Sequence, residues 1–141
     1  MRRIGITQQA LHAFFESFCQ DFSSFDGALI AQRYATPYLA LNADGVIRHF
    51  ATPAETARYF QQHLDRYRAQ NCRSCTCEAL AYVALGEQSY LASVTWRLHA
   101  ESGAVLSTWR ESYNLHQSPK GLLIYASTDH VGDSGGDPGS A

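Results

Sequence analysis

The chain has 141 residues, of which 45% are hydrophobic and 17% charged, with a formal net charge of −2. This length fits one domain, and the apolar content excludes a wholly disordered chain. The near balance of acidic and basic residues argues against a protein that binds nucleic acid or an anionic membrane.

The N-terminal segment carries basic residues but lacks the apolar stretch of a signal peptide, because Thr7, Gln8 and Gln9 interrupt it. No window approaches the about 18 uninterrupted apolar residues of a membrane-spanning helix. We therefore expect a cytoplasmic protein. Its four cysteines are too few and too unevenly placed for a disulfide scaffold, so free thiols are expected.

The first predicted elements are two helices. Thr7 is a candidate N-cap for a helix over 7–22, whose apolar residues recur with helical spacing. That face comprises Leu11, Phe14, Phe15, Phe18, Cys19 and Phe22. A second, short helix is predicted from residue 25 or 26 to about residue 34. Pro37 then favours an extended Thr36 and ends the helical region.

A hairpin and a third helix follow. Segments 38–41 and 46–50 flank a turn over 42–45, in which Gly45 can take a positive φ. Thr52, Pro53 and Glu55 then form a strong helix start: Thr52 caps, Pro53 occupies the first helical position, and Glu55 closes a capping box. The helix is predicted to run to about residue 69.

From residue 73 onward the hydrophobic period changes from helical to alternating. Strands are predicted over 75–85, 88–100, 104–116 and 122–130, joined by tight turns. Helices followed by a strand meander indicate an α+β domain with one antiparallel sheet. Residues 1–130 are predicted to form this single domain, and residues 131–141 a flexible tail.

This element order resembles the nuclear transport factor 2-like superfamily, which includes ketosteroid isomerases, scytalone dehydratase and polyketide cyclases of the SnoaL-like type. The most similar stretches are 52–60, 109–115 and 121–124, and the resemblance covers 7–130. It implies a curved antiparallel sheet wrapped against three helices, forming a cone with a pocket at its open end, the cystatin-like fold. It also implies a homodimer formed through the sheet, but no particular chemistry.

Strand alternation identifies one carboxylate that stands out from its surroundings. Trp109, Glu111, Tyr113 and Leu115 share a strand face. Burial there would raise the pKa of Glu111 and make it a candidate proton donor or base. The alternative is a strand-end carboxylate that reaches solvent or pairs with an arginine.

The resemblance bears on the same carboxylate. Glu111 falls near the acidic residue that ketosteroid isomerases hold protonated in the oxyanion hole. The principal base of those enzymes falls near Leu39, Ala40 or Leu41, and none of these side chains can move a proton. This difference argues against ketosteroid isomerase activity.

Two of the six histidines are further candidates for acid–base catalysis. His49 ends the hairpin and His130 ends the last strand, where the mouth of a cone is expected. Pairing of His130 with Asp44, or of His49 with Asp129, would orient an imidazole for proton transfer. The alternative for each is an ordinary surface or core histidine.

Aromatic residues exceed what a small core needs. Those expected to bind a flat, moderately polar ligand are Tyr34, Tyr38, Phe60, Trp96, Trp109 and Tyr113. Phe50, Tyr59 and Tyr125 belong to the same surplus. The alternative is that these rings fill the core or the dimer face.

The segment around Cys72, Cys75 and Cys77 superficially resembles a metal knuckle. A structural zinc site needs four ligands, usually as two separated pairs. Here Cys75 and Cys77 share a strand face, Cys72 has the opposite parity, and Cys19 is alone on the first helix. We therefore expect no metal site, and a redox pair is only slightly better supported.

Three functions remain open at this point. The first is a protein that binds a small hydrophobic or aromatic molecule, with or without catalysis. The second is a cofactor-independent isomerase, cyclase or dehydratase that uses acid–base catalysis. The third is a dimeric interaction module without a ligand. We expect no cofactor, because no phosphate-binding loop, dinucleotide fingerprint or Ser-His-Asp elbow is present.

Overall fold

The structure of the protein is a computed structural model that describes residues 3–132, with side chains described from Thr7 onward. The helices are α1 (Arg3–Phe22), α2 (Gly27–Ala31) and α3 (Pro53–Ala69). The strands are β1 (Tyr34–Leu41), β2 (Ile47–Phe50), β3 (Cys72–Ala84), β4 (Ser89–Ala100), β5 (Val105–Ser118) and β6 (Gly121–Asp129). The prediction of a flexible tail falls mainly on residues 133–141, which lie outside the described residues.

The six strands form one curved, unclosed sheet in the order β2-β1-β6-β5-β4-β3. The predicted α+β class is confirmed, with one difference in the sheet. Four of the five neighbouring pairs are antiparallel, whereas β1 and β6 run parallel. The reason is topological: α3 carries the chain from β2 at one edge of the sheet to β3 at the other. The meander then returns to β1 with β6 in the same direction.

Helix α1 packs one apolar face on the sheet. Leu11, Phe15, Phe18 and Phe22 are all buried, as their helical spacing predicts. The helix begins at Arg3, so Thr7 lies within it, and the prediction that Thr7 is its N-cap is wrong.

Helix α2 is shorter than predicted. Asp26 caps it, its carboxylate accepting hydrogen bonds from the backbone N–H groups of Ala28 and Leu29. It ends at Ala31, because the chain is already extended at Tyr34, where β1 begins beside β6.

The close approach of α2 to α3 requires a glycine at position 27. A Cβ at Gly27 would lie 2.5 Å from the carbonyl oxygen of Ala57 and 2.7 Å from the backbone nitrogen of Gln61. The Gln61 side chain also joins the two segments, accepting from Gly27 N–H at 2.7 Å and donating to the Phe25 carbonyl at 3.1 Å. The contact therefore fixes the position of α3 against the entry to β1.

The predicted capping box of α3 is confirmed. Thr52 Oγ1 accepts from the Glu55 N–H at 3.2 Å, and Glu55 Oε1 accepts from the Thr52 N–H at 3.2 Å. The helix ends at Ala69, as predicted. The preceding hairpin is confirmed too, with Gly45 at φ 80° in its turn.

Alternation along β4 and β5 follows the prediction from sequence. Tyr90, Ala92, Val94, Trp96 and Leu98 point inward from β4 and are buried. On β6, however, Tyr125 is an extra residue: Asn114 pairs with Ala126 while Leu115 pairs with Ile124. This bulge reverses the alternation, so Ile124 faces the core before it, and Ser127 after it. The reversal decides which residue at the end of β6 faces the interior.

Candidate functional site

A cavity of about 510 Å³ lies between the concave face of the sheet and the three helices. Aromatic side chains from α1, α3, β1, β4 and β5 form most of its wall. Its mouth lies near the β1–β2 turn, where Asn42, Ala43 and Asp44 contribute, and near the end of β6. Apolar rings therefore enclose a space that opens at one end.

All six aromatic residues predicted for a pocket line this cavity: Tyr34, Tyr38, Phe60, Trp96, Trp109 and Tyr113. That they bind a ligand stays a prediction. Tyr125 does not belong to this group, because its bulged position leaves it 37% exposed with its ring against His116. Phe50 is partly buried behind the wall, where it stacks on Tyr38.

Two carboxyl groups face each other on the cavity wall. Glu111 of β5 pairs directly with Asp129 of β6, and both line the cavity. Each carboxyl group shifts the pKa of the other. Two carboxylates this close do not both ionise readily, so the pair favours holding one proton.

Burial, aided by the negative charge of Asp129, raises the pKa of Glu111 to about 8. Burial also raises the pKa of Asp129, but hydrogen bonds from the Ala43 N–H and from Glu111 oppose that rise. The proton therefore resides on Glu111, beside the Asp129 carboxylate. At neutral pH the cavity wall presents a carboxylic acid beside a carboxylate.

An indole donor holds the Glu111 carboxyl in place. Trp109 Nε1–H donates to Glu111 Oε1 at 2.9 Å. Trp96 Nε1–H donates to the Tyr113 hydroxyl oxygen at 2.8 Å. Trp109 and Tyr113 both lower the pKa of Glu111 and so counteract part of the effect of burial.

Asp129 is the site residue that the sequence did not reveal, except as a candidate partner of His49. Uninterrupted alternation from Ile124 would turn Asp129 outward and His130 inward. The bulge at Tyr125 reverses this and turns Asp129 toward the cavity, where the Ala43 backbone lowers its pKa. A bulge of this kind leaves no clear signal in a single sequence.

His63 and Tyr59 extend the polar part of the wall from α3. His63 Nδ1–H donates to the Tyr59 carbonyl at 3.0 Å, which leaves Nε2 as the acceptor of a neutral ring. Burial lowers the pKa of His63. The Tyr59 hydroxyl is hydrogen-bonded to the Asn42 side chain. Helical spacing places both beside Phe60 and Leu64, which also line the cavity.

Of the two histidines predicted at the mouth, His49 lies outside the cavity, and His130 contacts the opposite face of the sheet. His49 is exposed on β2 and does not line the cavity, because alternation turns its neighbour Phe50 inward. His130 borders the mouth, but its Nε2 is 2.7 Å from the Ser112 hydroxyl, on the strand face opposite to Glu111.

Both aspartates that were predicted as histidine partners have other neighbours. Asp44 forms a salt bridge with Arg48, at 3.1 Å between Oδ2 and Nη2. Asp129 lies opposite Glu111 in the sheet, and the two carboxyl groups shift each other's pKa.

The β1 positions that the resemblance relates to the principal base of ketosteroid isomerases carry no acidic side chain. Ala40 is fully buried, and Leu39 and Leu41 are 43% and 37% exposed on the outer face. The second carboxylate at this cavity comes from Asp129 of the adjacent strand instead.

The cysteines are closer together than the sequence indicates. Cys19 on α1 is not electrostatically isolated, because the Cys75 and Cys77 thiols of β3 lower its pKa. Cys72 is also buried, since the strand register shifts between Cys72 and Ser74. Within the part of the chain described, no His, Cys, Asp and Glu side chains form a group that could hold a metal ion. Over the same residues, no helix is long and apolar enough to cross a membrane.

Comparison with known proteins relates both the sequence and the fold to one family. A family model described as NTF2-like protein (DUF6841) matches residues 8–131. No curated protein matches the sequence.

Solved structures with the same fold share little sequence with this chain. An NTF2-like protein with a cystatin-like fold from Novosphingobium aromaticivorans superposes with a TM-score of 0.74 at 11% identity, over 98% of this chain and 88% of that one. Aln2 from a Streptomyces species gives 0.73 at 13% identity, over 90% and 91%. A domain of unknown function from Nostoc punctiforme gives 0.69 at 17% identity, over 86% and 75%. These likenesses establish the fold.

Proposed function

Because this chain belongs to the NTF2-like family DUF6841, we propose that it binds a small, largely aromatic or hydrophobic molecule in the cavity of the concave sheet face. The observation that carries this proposal is the cavity of about 510 Å³, walled by aromatic rings with the Glu111–Asp129 pair on one side. Ligand sites are typically concave and mostly apolar, of about 300–1,000 Å³, with a few polar groups that fix orientation. This cavity has that combination.

The polar groups indicate what the ligand carries. At neutral pH Glu111 offers an O–H and Asp129 a carboxylate, so together they match a group that both donates and accepts, such as an enol or a phenol. The buried phenols of Tyr34, Tyr38 and Tyr113 stay protonated, because burial raises their pKa values. These rings therefore carry no charge, and the buried negative charge of the cavity lies at the Glu111–Asp129 pair.

Acid–base catalysis on such a ligand is the second candidate function. The Glu111–Asp129 pair favours it, since a carboxylic acid next to a carboxylate supplies both a proton donor and a proton acceptor. Asp129 would remove a proton from the substrate, and Glu111 would donate one to a neighbouring oxygen or carbon. The reaction class is isomerisation, cyclisation or dehydration without a cofactor.

Binding is tested with variants that close the mouth. Ala43 is exposed in the β1–β2 turn and lines the cavity, so Ala43→Trp places an indole across the entrance. Ala28→Trp, on the exposed side of α2, is the matched control. A thermal-shift panel of steroids, polyketide-like aromatics and small lactones identifies ligands that raise Tm. We expect the shift with a bound compound to be lost in Ala43→Trp and kept in Ala28→Trp. A shift that survives unchanged in Ala43→Trp places binding elsewhere and contradicts the proposal.

Catalysis is tested on any compound that binds. Glu111→Gln and Asp129→Asn keep the shape of the wall but remove the transferable protons. We expect turnover to fall by about a hundredfold or more in each variant, the usual contribution of a general acid or base. Unchanged turnover in both variants would contradict catalysis by this pair and leave ligand binding as the proposed function.

Homodimerisation through the outer face of the sheet is a further proposal, first implied by the family resemblance. Its support is the row of exposed apolar side chains opposite the cavity, among them Leu39, Leu41, Val83 and Leu91. Light scattering coupled to size-exclusion chromatography tests it. A dimer mass that becomes a monomer mass in Leu39→Lys/Leu91→Lys supports the proposal, and a monomer mass for the unmodified chain contradicts it.

A further inference from the structure

Two side chains of α3, one helical turn apart, carry hydrogen-bonding atoms that the protein does not use. His63 and Tyr67 both line the cavity, and their rings meet edge to face with 6.3 Å between the centroids; we call them the α3 pair. Among the residues whose side chains the structure describes, neither His63 Nε2 nor the Tyr67 hydroxyl has a hydrogen-bond partner. In that same part of the chain, every side-chain nitrogen or oxygen that is sealed from solvent has a partner. Both atoms are therefore accessible, on rings that border the cavity.

The tautomer of His63 follows from its hydrogen bond to the helix backbone. Nδ1 lies 3.0 Å from the Tyr59 carbonyl oxygen, which can only accept, so Nδ1 carries the proton. Burial lowers the pKa of His63, which favours the neutral ring. Nε2 of this ring then has a lone pair and no proton. It can accept a hydrogen bond from a ligand but cannot donate one.

Tyr67 supplies the complementary group. Its ring stacks on Phe22 of α1 at 6.0 Å between centroids and lies 6.3 Å from the Trp109 ring, so it is held on two sides. Burial raises the pKa of Tyr67, so its hydroxyl keeps the proton and can donate it in a hydrogen bond. The α3 pair thus offers one acceptor and one donor. A hydroxyl group, which donates one hydrogen bond and accepts another, matches both.

Neighbouring donors of the cavity wall are engaged with other residues. The Tyr59 ring lies 4.4 Å from the His63 ring, but its hydroxyl is hydrogen-bonded to the Asn42 side chain. The Trp109 indole N–H donates to Glu111 at 2.9 Å. The α3 pair is therefore a polar position of the wall that these side chains leave to a ligand.

The Trp109 indole connects the α3 pair to the Glu111–Asp129 pair. One side of this connection is the ring contact with Tyr67, and the other is the hydrogen bond from Nε1–H to Glu111. A ligand that contacts both polar positions therefore extends along an indole. A flat scaffold of two fused aromatic rings can do so, and it can also stack on the rings of the wall.

We propose that the α3 pair is a second polar subsite of the cavity, where a hydroxyl group of the ligand donates to His63 Nε2 and accepts from the Tyr67 hydroxyl. This inference rests on the proposed function, since it needs a ligand in the cavity. A second hydroxyl matches the Glu111–Asp129 pair, so the ligand class narrows to flat aromatic molecules with a hydroxyl group at each end. A methyl ether at the α3 pair keeps the oxygen that accepts but loses the proton that donates.

Three naphthalene probes test the subsite by their affinities: a diol with a hydroxyl at each end, its monomethyl ether and its dimethyl ether. Isothermal titration calorimetry measures each Kd. We expect the diol to bind about tenfold more tightly than the monomethyl ether, the effect of one hydrogen bond. This preference should nearly vanish in His63→Phe, which keeps a ring but removes the acceptor. His49→Phe, the same exchange at an exposed residue outside the cavity, is the matched control and should keep the preference.

Tyr67→Phe has a different expected signature. It removes the donor, which serves a hydroxyl and an ether oxygen alike, so all three probes should bind more weakly. The preference for the diol over the monomethyl ether should remain, because His63 still accepts. The two variants thus separate the acceptor from the donor of the α3 pair.

NMR of the imidazole nitrogens tests the subsite in the unmodified chain, so it needs no variant to fold. Without a probe, His63 should be neutral with its proton on Nδ1. With the diol bound, the Nε2 resonance should move as it accepts a hydrogen bond, and the dimethyl ether should move it much less. A proton on Nε2, or an Nε2 resonance that does not respond to the bound diol, would overturn the subsite and leave ligand binding in place.

The binding data also separate the subsite from the function on which it rests. A preference for the diol that is equal in the unmodified protein and in His63→Phe overturns the subsite alone. So does a diol that fails to bind while a compound of the thermal-shift panel raises Tm. If neither the probes nor the panel raises Tm, the proposed function fails and the subsite with it.

Discussion

Glu111 and Asp129 lie opposite each other on β5 and β6, and both line a cavity walled by aromatic rings. The relationship depends on the bulge at Tyr125, which turns Asp129 toward the cavity. Burial and mutual repulsion keep a proton on Glu111 at a pH where an exposed carboxyl group would be ionised. The pair thus has an energetic signature that can be measured without knowing a ligand.

The first prediction concerns the pH dependence of stability. The pKa of Glu111 is raised from 4.5 to about 8 by folding, so the folded state binds more protons than the unfolded state within that range. The free energy of unfolding therefore falls as pH rises from about 4.5 to about 8. A tenfold change in proton affinity corresponds to about 1.4 kcal/mol, which gives a loss on the order of 5 kcal/mol over this range. Urea denaturation at several pH values measures it.

Glu111→Gln isolates the contribution of this carboxyl group. The amide can still accept from Trp109 and donate to Asp129, but it cannot ionise. We expect the variant to be more stable than the unmodified protein above about pH 8. Its free energy of unfolding should also lack most of the decline between about pH 4.5 and about pH 8. Glu101→Gln, in the exposed β4–β5 turn, is the control and should leave the decline in place. An equally steep decline in Glu111→Gln would assign the effect to other groups.

The second prediction concerns the indole that donates to Glu111. Trp109→Phe removes the hydrogen bond of 2.9 Å to Oε1, which stabilises the ionised form. We expect the pKa of Glu111 to rise further, by roughly 1, the equivalent of a hydrogen bond to a charged group. Carbon-13 NMR of the carboxyl group measures the change. Tyr90→Phe, which removes a hydroxyl that donates to the Glu87 carbonyl, should leave the pKa of Glu111 unchanged.

The third prediction concerns the contact between α2 and α3. Gly27→Ala would place a Cβ 2.5 Å from the Ala57 carbonyl oxygen, and backbone atoms cannot yield cheaply. We expect a loss of about 2 kcal/mol or more in the free energy of unfolding. Chemical denaturation compares it with Ala28→Ser on the exposed side of α2, which should change stability little. If Gly27→Ala leaves the free energy of unfolding unchanged, the two helices are less closely packed than the structure shows.

The fourth prediction concerns the capping box of α3. Thr52→Ala removes the oxygen that accepts from the Glu55 N–H. We expect a loss of about 1 kcal/mol in the free energy of unfolding. Thr52→Ser keeps a capping hydroxyl and should retain most of the stability. Equal losses in the two variants would attribute the effect to the Thr52 methyl group rather than to the hydrogen bond.

Most of the fold could be predicted because its signals are local. The capping residues of α3, the turn at Gly45 and the alternation along β4 and β5 each depend on neighbouring residues only. The parallel pairing of β1 with β6 could not be predicted in this way, because it depends on where α3 carries the chain. The family resemblance supplied the overall architecture that these local signals leave open.

The candidate site could be predicted only in part. Alternation correctly turns Glu111 and Tyr113 toward the aromatic face, since no bulge separates them on β5. The inward orientation of Asp129 depends on the bulge at Tyr125, which leaves no local pattern. The prediction of His49 follows from its position at the end of the hairpin, but alternation with Phe50 turns it outward.

A carbon-13 NMR titration of the Glu111 carboxyl group, assigned with Glu111→Gln, tests the central claim most directly. The Glu111–Asp129 pair predicts a Glu111 resonance that titrates near pH 8, with a coupled step on the Asp129 resonance at lower pH. A Glu111 resonance that titrates near 4.5, the value of an exposed glutamate, would contradict a proton shared across the cavity wall.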